Sequence, residues 1–502
     1  MKGSADMKSP IRLLAASAVV VASALMAPVS AAQAVDATPI RVAQSFVTGG
    51  LDPAQGGNGW ALQSHGVMEP LFTVAVDLTV QPLLAQGFER IDGGLRVWLK
   101  PGLRFADGSA LDADAVARAL TRTAQRSSLA ASRTGKLSFT VHSASEFSVR
   151  SEKPVGRMEA VLAEFPFVIY GERDGGQFVG SGRYALTAFK PGEPLLLQPN
   201  VHYRDGAPPR AVQITRMTEP ESLLQGLEFG DIDLAFNVPA ERAKALAADK
   251  RFKVHGTLVA YQYMLLVNTK RPVLVDVRVR RALSLALDRN ALASEVDGEP
   301  ASGLYPSIWP FAQQTPLAQN LVAARALLDD AGWRADGDGQ RRREGQPLSL
   351  RLAHYPQRPD FARLAPLVTR QLAALGISVQ AEASTNINQT MGQRDFDLAF
   401  WTMNTAPGGD PTYVLDQYFS SLGTIAYPGW QSLEFDDLLE AARRARDPEA
   451  VQRSVAGIER LLAAEAPAIF LLTPRWFTVT GERLRSYRTY PSDYYIVNGS
   501  VR

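Results

Sequence analysis

The sequence predicts an α/β protein of more than one domain, with mixed sheets flanked by helices. Three observations lead there. The 502-residue chain is too long for one compact core and suggests two or three domains. Residues 36–262 are rich in short strands separated by Gly, Pro or Asp. From residue 276 the texture changes, and a strand–helix–strand alternation follows that calls for a parallel or mixed sheet.

Taken in order, the chain starts with Lys2, Lys8 and Arg12 ahead of an apolar run over 13–29, closed by the small-x-small triplet Ala32-Gln33-Ala34. Residues 1–34 therefore read as a secretory signal peptide cleaved after Ala34, starting at Met1 or Met7. The apolar run is short for a membrane span and contains Pro28. No later segment approaches the roughly 20 apolar residues a membrane helix needs, so the mature chain is expected to be soluble. The sequence has no cysteine, which excludes a lipid-modified cysteine, a disulfide framework and a thiolate metal site. A net charge of +2 without clustered basic residues speaks against a nucleic-acid surface. The densest basic run, Arg341–Arg343, is expected to be a solvated hairpin turn. A calcium loop fails there, with Arg341 where Gly is needed and Pro347 where the bidentate Glu belongs.

In the first half, "RVAQSF", "LRVWLK", "FSVRSE", "RYALTAF" and "PLLLQPN" read as strands. Leu95, Val97 and Leu99 alternate with polar or half-exposed neighbours, and Asp107-Gly108 marks a turn. Helices are expected over 111–124, capped by Asp112, near 157–164 and over 219–229. In the second half, "VRVRRALSLALDRNALASEV" reads as one long helical stretch and "LVAARALLDDAGW" as another. "LSLRLAHY" is a strand. Phe361, Leu364, Ala365, Val368, Leu372 and Leu375 have helical spacing up to Gly376, and "ISVQAEA" and "FDLAFWTM" are strands. Val451, Val455, Ile458, Leu461 and Leu462 mark a late helix before the buried strand "AIFLLTP".

Enzyme signatures do not compete. There is no G-x-x-x-x-G-K-[ST] and no H-E-x-x-H, and the histidines at 65, 142, 202, 255 and 354 are scattered. "GSGRY" lacks the first half of a G-x-S-x-G elbow, so Ser181 reads as a turn residue. No catalytic residue, cofactor or direct metal ligand is expected, and a secreted hydrolase is only a remote alternative.

The motif order resembles one family of extracytoplasmic solute-binding proteins, family 5, the peptide- and nickel-type receptors of ATP-driven (ABC) importers. Pro82, Leu84, Ala85, Gly93, Val97, Leu99, Gly102, Phe105, Asp107, Gly108, Ala113, Asp114 and Val116 fill its N-terminal pattern. "LDP" (51–53), "MEPLF" (68–72), "GSGRY" (180–184) and "NVHYRDGAPPR" continue it, the last with Arg204 in place of an aromatic. "LLVNTKRPVLVDVRVRRALSLALDR" is the most specific segment. The resemblance implies a type II periplasmic-binding-protein fold, a two-lobe clam closing on its ligand at a hinge near 260–270 and 470–480. It divides the mature chain into an N-terminal lobe over 35–262, with an added subdomain about 73–165, a C-terminal lobe over 263–475, and a tail over 476–502 returning to the first lobe. It implies a periplasmic monomer that captures a peptide or peptide-like solute and delivers it to an ABC permease and its ATPase subunits. The alternative within the family is a nickel or metal-chelate receptor.

For the ligand, peptide-binding members carry an Asp three residues after the Trp of the segment matching "FDLAFWTM". Asn404 stands there, so the charge is absent, and Asp410 is either a substitute or a cap for the helix starting at Pro411. The nickel-type Arg is missing from "LAEFPFVIYG", and "SSLGTIAYPGW" has no His. Trp401, Tyr413, Tyr427 and Trp430 are the aromatic candidates for the cleft, with Tyr418 and Phe419 beside them. The expected ligand-binding set is Trp401, Asn404, Asp410, Tyr413, Tyr427 and Trp430.

Overall fold

The computed structural model describes residues 38–501 apart from 187 and 424. The expected signal peptide lies outside the described residues. Two sheets organise the rest. The first has seven strands in the order Tyr184–Leu186, Leu195–Pro199, Val212–Arg216, Ile40–Gln44, Leu234–Val238, Arg475–Thr480, Lys253–Leu258. Ile40–Gln44 runs parallel to both its neighbours, and the outer pairs are antiparallel. The second sheet has six strands in the order Glu299–Pro300, Ala468–Thr473, Tyr261–Val267, Leu398–Asn404, Ser349–His354, Ser378–Ala383. Ser349–His354 is parallel to Ser378–Ala383 and to Leu398–Asn404, the strand–helix–strand unit expected from the sequence.

Two short links join the sheets. Only Val259 and Ala260 separate the strand ending at Leu258 from the one starting at Tyr261, and only Pro474 separates Thr473 from Arg475. The links are tied together by Val259 N–H donating to the Pro474 carbonyl at 3.2 Å. An insert with its own four-stranded sheet, Ala85–Ile91, Gly94–Leu99, Glu146–Ser151 and Leu137–Ser143, packs against helix Ala113–Arg126.

The strands follow from their side chains. Tyr261–Val267 (YQYMLLV) is buried at every position because the sheet is covered on both faces. Met264 and Leu266 enter one core, while Tyr263, Leu265 and Val267 enter another with Leu348, Leu350 and Leu352. Helix Pro359–Ala373 buries Phe361, Leu364, Ala365, Val368 and Leu372 in that second core, where each large side chain contributes about 1.5–3 kcal/mol. Asp112 caps its helix by accepting from Ala115 N–H at 2.9 Å. Gly108 sits in the turn at φ 85°, where a side chain would be strained.

Two expectations need correction. The stretch 277–296 is not one helix. It is Val277–Ala286 followed by Arg289–Glu295, because Asp288 accepts from Ala291 N–H at 3.1 Å and starts a new helix. The run Arg341–Arg343 is a strand rather than a solvated turn. Arg341 is buried and its guanidinium donates to the carbonyl of Leu375 at 2.9 Å and to Asp329 at 2.6 Å. A guanidinium can satisfy carbonyls orphaned at a helix end as well as it can face water.

Candidate functional site

The carboxyl ends of the parallel strands in both sheets open onto one cavity of about 500 Å³. Ser45–Gly49 follow the strand Ile40–Gln44, and Arg216 ends Val212–Arg216. On the other wall Tyr355, Gln357 and Arg358 follow Ser349–His354. Ile387 and Asn388 start the helix after Ser378–Ala383, and Trp401 projects from Leu398–Asn404. Ligands of open α/β sheets lie outside the carboxyl ends of strands, where loops meet and backbone groups are free. A recess of about 260 Å³ around Arg118, Arg122 and Tyr170 lies outside this junction, lined only by residues 105–173.

The walls are aromatic. Phe46 stacks on Trp60 with centroids 4.0 Å apart. Opposite, Trp401 lies beside Tyr355 at 5.9 Å and meets Tyr427 edge-on at 5.4 Å, and its indole N–H donates to the Tyr418 hydroxyl at 3.0 Å. Trp60 is fixed from behind, its indole N–H donating to Asp493 Oδ1 at 3.1 Å, and the same oxygen accepts from the Tyr261 hydroxyl at 2.6 Å. Asp493 belongs to the C-terminal tail and is fully buried; burial raises its pKa, against the pull of Arg358 and of these two hydrogen bonds.

The charged side chains among the described lining residues are Arg216 and Arg358, with no carboxylate. The Arg358 guanidinium lies over the Trp476 ring at 4.9 Å and the Tyr261 ring at 5.7 Å. Among the described residues it forms no direct ion pair, and Asp493 acts on it only through space. Arg216 donates to the Ser45 carbonyl at 3.3 Å and is otherwise exposed to the cavity and solvent. Burial pushes the Tyr355 phenol up to about 12, so it is a neutral donor at ordinary pH. The arrangement can receive an anionic group on guanidinium donors and sandwich an apolar or planar body between Phe46–Trp60 and Trp401.

The six residues expected at the site fall into four places. Trp401 lines the cavity and Tyr427 packs directly behind it. Asn404 is buried away from it, its Oδ1 accepting from Ala406 N–H at 3.1 Å and its Nδ2 donating to Ser492 Oγ at 3.5 Å. Asp410 accepts from Thr412 N–H at 2.8 Å at the start of helix Thr412–Tyr418 and from Arg133 at 3.3 Å, and Tyr413 lies under the same guanidinium. Trp430 is buried against Phe435 at 5.3 Å. Sequence reasoning passed over Phe46, Trp60, Arg216, Tyr355, Arg358 and Asp493. For Arg358 a signal existed, since "YPQRPDF" follows directly on a strand read as parallel.

Elsewhere, Ser181 is a buried loop residue donating to Glu69 at 3.3 Å. Arg204, the departure from the aromatic pattern, makes a two-pronged pair with the same Glu69 at 2.6 and 3.0 Å.

The profile of the bacterial extracellular solute-binding proteins, family 5, matches residues 79–425. The chain is 25% identical over 456 residues to the oligopeptide-binding protein AppA of Bacillus subtilis (strain 168), covering 82% of each chain. It is 20% identical over 449 residues to the nickel-binding protein NikA of Staphylococcus aureus, covering 86% of this chain and 88% of that one. Among solved structures, NikA of Staphylococcus aureus in complex with Ni(L-His)2 superposes with a TM-score of 0.81 at 19% identity, over 92% of this chain and 98% of that one. AppA in complex with a nonapeptide superposes with a TM-score of 0.77 at 22% identity, over 91% and 97%. The fold is that of a type II periplasmic binding protein, as the sequence implied. The chain belongs to the bacterial extracellular solute-binding proteins, family 5. It is a substrate-binding component of an ABC transporter, a class that binds solutes outside the cytoplasm.

Proposed function

We propose that this protein captures a carboxylate-bearing, peptide-like solute in the cavity between its two sheets and delivers it to an inner-membrane ABC permease. In this reading it is a periplasmic monomer released from a cleavable signal peptide. The lobes are residues 35–262, with the added subdomain about 73–165, and 263–475, and the tail 476–502 returns to the first lobe. The Leu258–Tyr261 and Thr473–Arg475 links are the hinge.

One observation carries the ligand class. The described cavity lining offers two guanidiniums and five aromatic rings but no carboxylate. A free ammonium group would find no counter-charge there, whereas a ligand carboxylate would find Arg358 with no direct ion-pair partner. Trp401 and Tyr427 are the expected residues that serve this cavity. Phe46, Trp60, Tyr355, Arg216 and Arg358 join them, and Asp493 supports Trp60.

A metal chelate is the second reading, favoured by the flat aromatic walls. The organic shell of the chelate would meet the arginines and the rings, and the metal would touch no side chain. Mass spectrometry of solute co-purified from the native periplasm tests both readings. A carboxylate-bearing peptide-like solute supports the first and a chelate the second. A purely cationic solute, or turnover of ester, peptide or glycoside substrates, overturns them.

A further inference from the structure

A second polar assembly, as dry as any core, lies outside the cavity. Arg133, on helix Ser128–Thr134 of the insert, has a side chain 1% exposed. Its Nε donates to Glu164 at 3.0 Å and its Nη2 at 2.7 Å. Nη2 also reaches Asp410 at 3.3 Å, while Nη1 donates to Thr412 at 2.9 Å and to Asp416. Arg443 donates to the other oxygen of Asp416 at 2.9 Å. The backbones beside the cluster are equally close. Gly156 N–H donates to the Arg443 carbonyl at 2.6 Å, and Arg157 donates to the Gly409 carbonyl at 2.9 Å. A Cβ on Gly408 would come within 2.0 Å of the Ala160 carbonyl oxygen.

The partners come from two bodies. Arg133 and Glu164 precede the crossing at Leu258–Tyr261, whereas Asp410, Asp416 and Arg443 follow it. Three buried carboxylates thus meet the buried Arg133 and, at the edge of the cluster, the partly exposed Arg443. Two further cations lie beside the cluster: Arg157, spent on the Gly409 carbonyl, and Lys153, whose ammonium is spent on the Ser132 carbonyl at 2.8 Å and whose pKa is lowered by burial and by Arg443. The other groups facing the cluster are Glu440, a one-third exposed carboxylate that accepts from Arg443 at 3.2 Å, and the phenols of Tyr305, Tyr413 and Tyr494, all held neutral by burial.

We propose that these five charged side chains form a proton-linked latch, assembled when the two lobes close and dismantled when they part. The latch rests on the two-lobe reading above. The unpaired negative charge is tolerable in water and costly when dry, so closure favours taking up one proton. Glu164 is its seat: burial pushes its carboxyl up to about 8, Arg133 opposes this, and Asp410 and Asp416 add to it. In the parted, hydrated state the same carboxyl returns toward its ordinary value of 4.5. Between those two values the closed form holds one more proton than the open form. Raising the pH through that window therefore favours opening, by at most about tenfold per pH unit, and outside it the equilibrium is flat.

The chain has no cysteine, so a spin-label pair can be placed cleanly at Val201→Cys and Val322→Cys, whose parent residues are 74% and 78% exposed. The inter-label distance is measured by pulsed electron resonance from pH 5 to 9 with no ligand added. The closed population should fall steeply toward pH 8 in the parent chain. Glu164→Gln should stay closed and pH-independent. Arg133→Lys should open at every pH, because one ammonium cannot span three carboxylates. A distance distribution that ignores pH, or a slope that survives in Glu164→Gln, overturns the latch. So do variants that lower Tm without altering the distances, which would make the cluster a static strut. Because no ligand is used, a wrong ligand class leaves this result standing.

Discussion

Helix Thr412–Tyr418 faces two opposite worlds. On one side, Asp410 just before it and Thr412 and Asp416 within it are locked onto Arg133 in a dry cluster. On the other, the Tyr418 hydroxyl receives the Trp401 indole on the wall of an open cavity. One side has carboxylates and no vacancy. The other has vacancy and no carboxylate. The difference teaches which charges a ligand can use: a charge already matched inside the protein is structural, and a charge without a direct partner at a cavity is available.

The comparison breaks most visibly at Arg133. Arg133→Met should cost about 3–5 kcal/mol of stability, because removing one partner of a buried ion cluster leaves uncompensated charge. Urea unfolding monitored by circular dichroism measures this. A loss under 1 kcal/mol would show that the cluster is hydrated and not dry.

The two tryptophans give the next contrast. Trp430→Ala should cost about 3–5 kcal/mol, since the ring fills a core against Phe435. Trp401→Ala should cost less stability and remove much of the affinity for the co-purified solute, because the ring lines the cavity. Ligand addition should also change tryptophan fluorescence, and Trp401→Ala should reduce that change. If Trp401→Ala behaves like Trp430→Ala, the cavity wall is core and the ligand binds elsewhere.

Arg358→Ala should lower affinity roughly ten- to a hundredfold, the worth of a charge-assisted hydrogen bond at about 1.5–3 kcal/mol. Folding should suffer less than in Arg133→Met, since the guanidinium has no direct ion pair to lose, only its stacking on Trp476 and Tyr261 and its through-space pull on Asp493. Calorimetry with the co-purified solute and with its carboxamide would locate the lost contact. Equal loss for both forms would mean that Arg358 does not meet the carboxylate.

The legible part of the molecule is the part set by short-range pattern. Leu350 and Leu352 alternate into a core, Phe361 to Leu372 repeat at helical spacing beneath them, and the strand–helix–strand unit follows. What sequence could not show is pairing at a distance. Asp410 read as a substitute anchor or a cap; it does accept from Thr412 N–H at the helix start, but its ionic partner Arg133 sits 277 residues away. Trp60 meets Asp493 across 433 residues. The cavity is assembled from loops after several separate strands, each unremarkable alone. The rule that ligands gather at the carboxyl ends of parallel strands would have picked out Arg358, whereas nothing local marks Phe46 or Asp493.

The finest test of the comparison is Asn404, which lies between the two worlds on the strand that carries Trp401. Its Oδ1 accepts from Ala406 N–H at 3.1 Å, and an aspartate oxygen can do the same. Its Nδ2 donates to Ser492 at 3.5 Å, and an aspartate oxygen in its place would instead accept from the Ser492 hydroxyl. The cost of Asn404→Asp is therefore that of a new carboxylate charge at a buried position, expected above the roughly 1–3 kcal/mol of an unsatisfied neutral group. Its effect on ligand choice separates the two places the residue could serve. If the described cavity is the binding site, a free-amine peptide and its N-acetylated form should keep equal relative affinities in the variant, because residue 404 is absent from the lining. A selective gain for the free amine, read by calorimetry, would instead extend the binding site along the strand to residue 404. It would also return the anchoring carboxylate to the place where the family pattern puts it.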